Sequence, residues 1–354
     1  MPGLPLSFGI EMELHLKPKS QGLKDLMKSF GFKPKDNAGA ANRLAFRHAL
    51  SARLARAVPS RVDAAGDYTT WVVADEDLDE EPGFLPCEII SRVLYTNRGN
   101  WEGQIDSVFQ VLHADCEIKL TPGCAMHVHV SPDEVKYDAK RLKNIIMAGI
   151  YYENPLATIM PPIRKNNPWA RPNVQVLQGC MEKINMVPQK TWALLFDEYQ
   201  KLQMRQQVLL AIDTGNRQVS WNFSNVASTC GTIEFRRPPG VKTSADAKHW
   251  AALTLGYMAN AMELQNWDAI KKTKTHPTTN DLRNAINRGA QYLDRPVTGA
   301  LRPALMADIN SPPTVFSAAY MAKIKQKMAK KANKRSVFVE NVINSRPNTP
   351  TGHK

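Results

Sequence analysis

Ionisable residues alternate with apolar ones in three short segments of the chain. The pairs are Glu11 and Glu13 in SFGIEMELHL, His127 and His129 in CAMHVHVS, and Glu234 and Arg236 in GTIEFRRPPG. In an extended strand, residues two apart point to the same face of the sheet. Each pair should therefore project together while the apolar residues beside it face the core. This pattern predicts a sheet with one apolar face and one ionisable face.

The residue types on that face limit its chemistry. Carboxylates that lie close together repel one another unless a cation lies between them. Carboxylates and imidazoles bind divalent metal ions, and the planar guanidinium of an arginine is suited to phosphate. Taken singly, the pairs also fit a solvent-facing strand, a buried histidine beside an exposed one, and a cross-strand ion pair. Together they favour nucleotide-dependent chemistry at a metal site.

Composition describes an ordinary globular protein. The chain has 354 residues, of which 43% are hydrophobic and 22% are charged, enough for one large or two smaller domains. Its five cysteines are widely spread and form no CxxC pair, which argues against a disulfide framework and a structural zinc site. The first residues lack the features of a signal peptide, and no run of eighteen apolar residues occurs. We expect a reducing compartment, the cytoplasm, and no membrane partner.

Positive charge is concentrated near the C-terminus. The net charge is +13, and the segment 323–335 contributes seven positive charges without an acidic residue, which leaves about +6 elsewhere. That remainder suits an enzyme with anionic substrates as well as it suits a nucleic-acid binder, and we do not expect a nucleic-acid partner. Three interpretations of the segment stay open: a solvated helix face, a nuclear localisation signal that would direct the chain to the nucleus, or a contact with an anionic surface.

Periodicity along the chain predicts an α+β fold. Alternation predicts strands at 6–16, 69–75, 86–94, 218–224 and 232–237 and around the HVH motif; helical spacing predicts helices at about 38–58, 99–114, 131–158, 191–212, 244–263, 279–293 and 317–328. We expect the HVH strand to follow a helix directly. The loop 160–172, which contains Arg164, Lys165, Trp169 and Arg171, fits either a substrate contact or a solvated surface.

No linker composition divides the first 315 residues. We therefore expect a catalytic domain over 1–265 with a basic helical insertion at about 20–62, a helical portion over 266–335 packed on it, and a disordered tail over 336–354. The chain contains neither GxxxxGK[ST] nor GxGxxG, so a P-loop or a dinucleotide fold is disfavoured.

The order of the short motifs resembles a known family. The segments FGIEMEL, WVVADEDL, CEIISRVL, CAMHVHVS, SWNFSN and GTIEFRRPPG are similar to the ordered blocks of the amidoligases. These belong to the wider carboxylate–amine ligase group that includes glutamine synthetase and glutamate–cysteine ligase. The resemblance covers residues 8–240. Two positions depart from it: Arg92 stands where a proline is frequent, and Asp77 where a serine is usual.

The resemblance implies a curved, mostly antiparallel sheet that forms a glutamine synthetase-like funnel, with ATP at one end and magnesium ions at the waist. The residues carried over by position are the metal ligands Glu11, Glu13, Glu88, His127 and Glu234; the nucleotide contacts His129 and Arg236; the substrate contacts Ser91 and Asn222; and the catalytic residues Asp75 and Arg236. For Asn222, a hydrogen bond at a turn or strand end is the alternative.

The function implied is an ATP- and Mg²⁺-dependent ligase. ATP would phosphorylate a carboxylate, and an amine would attack the acyl phosphate to give an amide, with Asp75 accepting a proton or holding the ammonium form. The partners would be small-molecule or peptide carboxylates and amines. Three alternatives stay open: a metal-dependent amide or phosphoester hydrolase, a non-catalytic basic binding protein, and a ligase fold that has lost activity.

Overall fold

The chain forms a mixed α+β fold. The computed structural model describes residues 3–34, 39–63, 68–133, 135–175, 188–212 and 217–332. Its strands are β1 Leu6–Pro18, β2 Ser60–Val62, β3 Trp71–Ala74, β4 Leu85–Ile90, β5 Leu94–Tyr95, β6 Cys116–Lys119, β7 Met126–Pro132, β8 Trp221–Asn222 and β9 Ile233–Phe235. The segment predicted as a disordered tail, 336–354, lies outside the described residues.

Helices make up most of the remaining described structure. They are α1 Gln21–Ser29, α2 Ala40–Leu54, α3 Trp101–Asp115, α4 Ala139–Tyr151, α5 Glu153–Thr158, α6 Pro162–Lys165, α7 Pro188–Gln200, α8 Arg205–Ile212, α9 Ser244–Ala259, α10 Trp267–Lys271, α11 Thr279–Tyr292 and α12 Ala318–Ala332. None of the described helices is long and apolar enough to cross a membrane.

The long strand β1 lies at the centre of the sheet. The strand order is β2-β3-β4-β1-β7-β9-β8, and β5 and β6 pair with the two ends of β1. Only the pairing of β2 with β3 is parallel among the described strands. Strands β3 and β4 pair antiparallel and are joined by an acidic loop, residues 75–84. The sheet is therefore open and mostly antiparallel.

The predicted alternation on the central strands is confirmed. The apolar residues that alternate with the ionisable ones on these strands are fully buried: Ile10, Met12, Leu14, Val128 and Phe235. They face the core, where β7 contacts α9 and the strands β3 and β4 contact α2. Burial of this face stabilises the sheet and fixes its register, because a slip by one residue would turn the apolar set outward. The opposite face is left for the ionisable residues.

Helix α9 is apolar on all sides because it is enclosed by the rest of the fold. Thr243 caps it by accepting a hydrogen bond from the backbone N–H of Asp246 at 3.1 Å. It packs tightly against α11 through Gly256 and Gly289. A Cβ at Gly289 would lie 1.8 Å from the carbonyl oxygen of Gly256, so this crossing requires glycine.

The predicted elements differ from the structure at several points. A short strand, β6, separates α3 from the HVH strand, so the expected direct succession of helix and HVH strand is wrong. β6 pairs with the C-terminal end of β1. The helices predicted at 131–158 and 191–212 are each divided, and α4 begins only at Ala139, where Asp138 accepts a hydrogen bond from the N–H of Arg141 at 2.7 Å. The insertion contains α1 as well as α2.

Candidate active site

Strand register brings the ionisable pairs to one place. Glu11 lies opposite His127 and Glu13 lies opposite Glu88 in the pairings of β1. His129 in turn lies opposite Glu234, which lies opposite Asn222. Directly opposed residues share a face of the sheet, as do residues two apart on one strand. All the predicted metal ligands therefore meet on the face away from the core.

A first group of possible metal ligands consists of His127 and the carboxylates of Glu11 and Glu234. The Nδ1 atom of His127 lies 3.2 Å from Glu11 Oε2 and 3.4 Å from Glu234 Oε1. His129 reaches the same carboxylates, with Nε2 3.1 Å from Glu11 Oε1. Ligand atoms of Glu11, His127 and Glu234 all lie within 4.8 Å of one another, a spacing that can hold a metal ion.

A second group lies on the other side of His127. Its Nε2 atom is 3.8 Å from Glu13 Oε1. Ligand atoms of Glu13, Glu88 and His127 again lie within 4.8 Å of one another. Because a neutral imidazole offers a single lone pair, His127 can bind one ion in this form, at either group.

The two groups differ in charge balance. Burial would raise the pKa of Glu11, but the charge of His129 and a hydrogen bond with His127 lower it well below its ordinary value. Burial would likewise raise the pKa of Glu234, but the charge of Arg236 lowers it to about 2. The carboxylates of the first group thus have cationic neighbours.

The second group carries excess negative charge. Burial raises the pKa of Glu88 well above its ordinary value, and the charges of Glu11 and Glu13 raise it further. Burial also raises the pKa of Glu13, although the charge of His127 opposes this shift. A divalent cation would relieve this repulsion, so the second group fits a cation on charge as well as on spacing.

Arg236 and Asn222 fix Glu234 from two sides. A guanidinium nitrogen of Arg236 pairs with Glu234 Oε1, and Asn222 Nδ2 donates to Glu234 Oε2 at 2.7 Å. Asn222 Oδ1 accepts the backbone N–H of Ser224 at 3.0 Å. The buried Asn222 amide is thus hydrogen-bonded within the protein, as the alternative of a strand-end hydrogen bond has it. The substrate contact predicted for Asn222 stays a prediction.

Two cavities flank the cluster. The Glu13 cavity, of about 620 Å³, is lined among others by Glu13, Glu76, His127, Arg164, Trp169 and Tyr320. The His129 cavity, of about 980 Å³, is lined among others by Glu11, Tyr68, Ser91, Arg92, His129 and Arg217. Arg236 borders both cavities. The Glu13 cavity therefore adjoins the second group of ligands, and the His129 cavity adjoins the first.

His129 lies beside the carboxylates of the first group. Its Nδ1 lies 3.2 Å from Thr232 Oγ1. Its Nε2 is buried, and within the described part of the chain it makes no hydrogen bond of acceptable geometry. Burial would lower the pKa of His129, but the charges of Glu11 and Glu234 raise it above its ordinary value. Nε2 therefore faces the Glu11 carboxylate, 3.1 Å away, as a charged pair rather than through a well-directed hydrogen bond.

The structure does not bring Asp75 into the cluster. Asp75 directly follows β3, and alternation places it on the same face as Val73, toward α2. Its carboxylate pairs there with Arg47 at 2.8 Å and Arg43 at 3.1 Å. The catalytic role predicted for Asp75 stays a prediction, and this pairing with two arginines does not support it. The next residue, Glu76, lines the Glu13 cavity instead. Sequence analysis did not select Glu76, although it lies beside Asp75 in the motif WVVADEDL.

Ser91 lies at the edge of the His129 cavity. Its Oγ accepts the backbone N–H of Ile10 at 2.9 Å, and its own N–H donates to the carbonyl of Ile10 at 2.8 Å. This arrangement prolongs the pairing of β1 beyond the end of β4. The substrate contact predicted for Ser91 stays a prediction.

The C-terminal helix α12 closes one side of the Glu13 cavity. Lys323 Nζ lies 2.8 Å from Asp79 Oδ1, and Lys327 Nζ lies 3.1 Å from Asp77 Oδ1. Ile324, between them, is buried. The basic segment is thus not simply a solvated face, because two of its lysines neutralise the acidic loop. Sequence analysis missed this docking, since it depends on a contact between distant segments.

Comparison with known proteins agrees with this geometry. Residues 4–258 match a family model described as "putative amidoligase enzyme". The chain belongs to this amidoligase family. The resemblance inferred from the motifs is confirmed, and helices α10 to α12 lie outside the matched region. No curated protein matches the chain.

Proposed function

We propose that the chain is an ATP- and Mg²⁺-dependent ligase that joins a carboxylate to an amine through an acyl phosphate. Membership of the amidoligase family supports a ligase. The observation that carries the finer proposal is the arrangement of two groups of metal-ligating side chains between two cavities that share Arg236. A reaction between a nucleotide and a second substrate requires that both bind beside the metal site, and two adjoining cavities allow this.

The ligand atoms of both groups fit magnesium. Carboxylate oxygens predominate in both, as Mg²⁺ prefers. Neighbouring carboxylates repel Glu88, and the described residues of the second group include no cation that compensates this repulsion. Glu11 and Glu234 would hold one ion and Glu13 and Glu88 another, with His127 completing one of the two sites. The bound ions would supply Lewis acidity and neutralise phosphate charge.

The two cavities have different linings. Basic side chains outnumber acidic ones in the His129 cavity, where Arg92, Arg217, Arg236 and His129 lie with Glu11 and Glu234, and the ring of Tyr68 borders it. These features favour the nucleotide there, with its terminal phosphate directed toward Arg236. The Glu13 cavity contains both acidic and basic side chains, which favours the carboxylate and amine substrates. This assignment corresponds to the funnel implied by the family.

Activation by phosphoryl transfer overcomes the low reactivity of a carboxylate. One oxygen of the substrate carboxylate takes the γ-phosphoryl group and ADP is released; the amine nitrogen then bonds to the carbonyl carbon, and inorganic phosphate leaves. Arg236 is placed to stabilise charge on the phosphoryl oxygens. The proton lost by the amine needs an acceptor in the Glu13 cavity, and Glu76 is positioned for that role.

The test is calorimetric titration of ATP into the protein with and without Mg²⁺. We expect saturable binding that depends on Mg²⁺ and is lost in Glu234→Gln. The matched control is Glu117→Gln on β6, which removes the same charge from an exposed position paired with Lys17. Mg²⁺-dependent binding in this control and in the wild type would justify screening acid and amine pairs for ADP release. Folded wild-type protein that binds no ATP would refute the proposal.

A further inference from the structure

Arg164, in α6 within the loop 160–172, is a buried cation whose hydrogen bonds go to backbone carbonyls. Its side chain is 1% exposed. Its Nε donates to the carbonyl oxygen of Arg237 at 3.1 Å, and its Nη2 donates to that of Arg236 at 2.5 Å. Carbonyl oxygens carry no formal charge. Among the described residues, no carboxylate oxygen lies within 4.0 Å of this guanidinium.

Other buried arginines of the chain are neutralised. Arg237 pairs with Glu153 of α5, and Arg47 pairs with Asp63 and Asp75. Burying a charge without a counter-charge is costly, and proteins usually avoid it by pairing. Among the described residues, Arg164 thus differs from the other buried arginines in having no directly paired carboxylate.

The guanidinium borders the Glu13 cavity beside Arg236. Burial lowers the pKa of Arg164 to about 10; the charge of Glu13, which lines the same cavity, raises it, and the positive charges of Arg236 and Arg237 lower it further. The group nevertheless remains protonated at neutral pH. The lysines at the far side of the cavity, Lys323 and Lys327, are paired with the acidic loop, so they do not supply the unpaired charge.

We infer that Arg164 and Arg236 form an oxyanion-binding subsite in the Glu13 cavity. A guanidinium binds planar or tetrahedral oxyanions through paired N–H groups, and the charge-assisted bonds formed are stronger than neutral ones. The oxyanion is a carboxylate of the acid substrate or a phosphoryl group, since both present the same oxygens. Naming these two sources rests on the proposed function, whereas the subsite itself rests on the unpaired buried charge.

A purely structural role for Arg164 makes a different prediction. Its two hydrogen bonds also hold the backbone where β9 ends, so loss of the side chain could disturb Arg236 without any anion being bound. Arg164→Lys and Arg164→Gln separate the two roles. Both remove the forked hydrogen bonds, but only the lysine variant keeps the charge.

The experiment is a titration with inorganic phosphate at constant ionic strength, followed by tryptophan fluorescence. Trp169 lines the same cavity. The part of the fluorescence change that disappears in Trp169→Phe is the part that arises from Trp169. We expect saturable binding in the wild type, a dissociation constant raised about tenfold or more in Arg164→Gln, and a smaller increase in Arg164→Lys. Arg295→Gln, which removes a guanidinium from an exposed position that contacts the carbonyl of Gly99, should leave the Trp169 signal unchanged.

Two results would overturn the inference. One is a wild-type protein whose Trp169 signal responds to phosphate no more than to chloride. The other is equal weakening in both Arg164 variants, each shown to be folded by its thermal unfolding, because the charge would then be irrelevant. Displacement of phosphate by succinate would assign the subsite to the acid substrate, and displacement by a non-hydrolysable ATP analogue with Mg²⁺ would assign it to a phosphoryl group. Failure of ATP binding would leave the phosphate result intact, so the two proposals fail separately.

Discussion

Glu88→Gln should stabilise the metal-free protein while weakening its response to magnesium. Glu88 lies opposite Glu13 in the sheet, and burial together with neighbouring carboxylates raises its pKa well above the ordinary value. Glutamine has nearly the same shape and carries no charge. The substitution therefore removes the repulsion without removing side-chain volume.

The size of the effect follows from two independent limits. Two unit charges 4.8 Å apart, the greatest separation of the ligand atoms of Glu13 and Glu88, repel by about 3 kcal/mol at an effective dielectric constant of about 20. Protonating Glu88 at pH 7, against an ordinary pKa of 4.5, avoids this repulsion but also costs about 3 kcal/mol. We therefore expect Glu88→Gln to raise the free energy of unfolding in EDTA by about 1 to 3 kcal/mol.

The pH dependence has a defined sign. Because the folded-state pKa of Glu88 is raised, the folded state holds the proton more tightly than the unfolded state does. Below the ordinary pKa of 4.5 the carboxyl is protonated in both states and the two proteins should be similar. As pH rises from there, the wild type loses stability relative to Glu88→Gln until the folded-state pKa is passed.

Urea unfolding in EDTA and in saturating Mg²⁺ measures both effects. Mg²⁺ should stabilise the wild type by about 3 kcal/mol at a hundredfold excess over its dissociation constant, and the variant by much less. Glu117→Gln is the control, since an exposed change of this kind alters stability by about 0.5 kcal/mol or less. If Glu88→Gln is no more stable than the wild type in EDTA, or gains as much from Mg²⁺, the reasoning about this carboxylate is refuted.

Three further substitutions test other parts of the structure. Asn222→Ala removes the 2.7 Å hydrogen bond to Glu234 and should weaken Mg²⁺-dependent nucleotide binding about tenfold in calorimetry. Gly289→Ala forces a methyl group against the carbonyl of Gly256 and should lower the free energy of unfolding in urea by about 3 kcal/mol. Asp115→Asn disrupts the pairing of a buried carboxylate with Arg53 and should cost about 2 kcal/mol at neutral pH in the same assay.

Each of these predictions has its own check. Gly299→Ala is the control for the helix crossing, because a Cβ there meets no atom within 4 Å. The Asp115 effect should disappear in acid: burial opposes the shift, but hydrogen bonds from Arg53 and Ser20 lower the pKa of Asp115 below its ordinary 3.8, so the stabilisation is lost as pH falls through that lower pKa. A deficit that persists unchanged at low pH would contradict the electrostatic explanation. An unchanged nucleotide affinity in Asn222→Ala would contradict its positioning role.

Sequence periodicity predicted which side chains share a face, but not which strands are neighbours. Alternation alone placed Glu11 with Glu13 and His127 with His129, because side-chain direction is a local property of a strand. The meeting of Glu13 with Glu88 depends on the register between β1 and β4, which is set by the whole core. For that pair, the family resemblance supplied what periodicity could not.

Periodicity does not give the direction or the partner of a residue whose surroundings are decided by distant contacts. Asp75 lies one residue beyond β3, and its direction is fixed by the arginines of α2. Asn222 looked like a substrate contact, yet its amide is used by Glu234. The strand β6 is only four residues long and forms against the far end of β1, so it has too little pattern of its own to be recognised.

The position of Arg236 between the two cavities makes their ligands thermodynamically interdependent. A ligand that accepts hydrogen bonds from Arg236 on one side changes the charge available to a ligand on the other side. Linkage requires that any such effect on affinity be equal in both directions. Apparent affinities measured with one ligand alone would then differ from those of the ternary complex, and a substitution of Arg236 would alter both together.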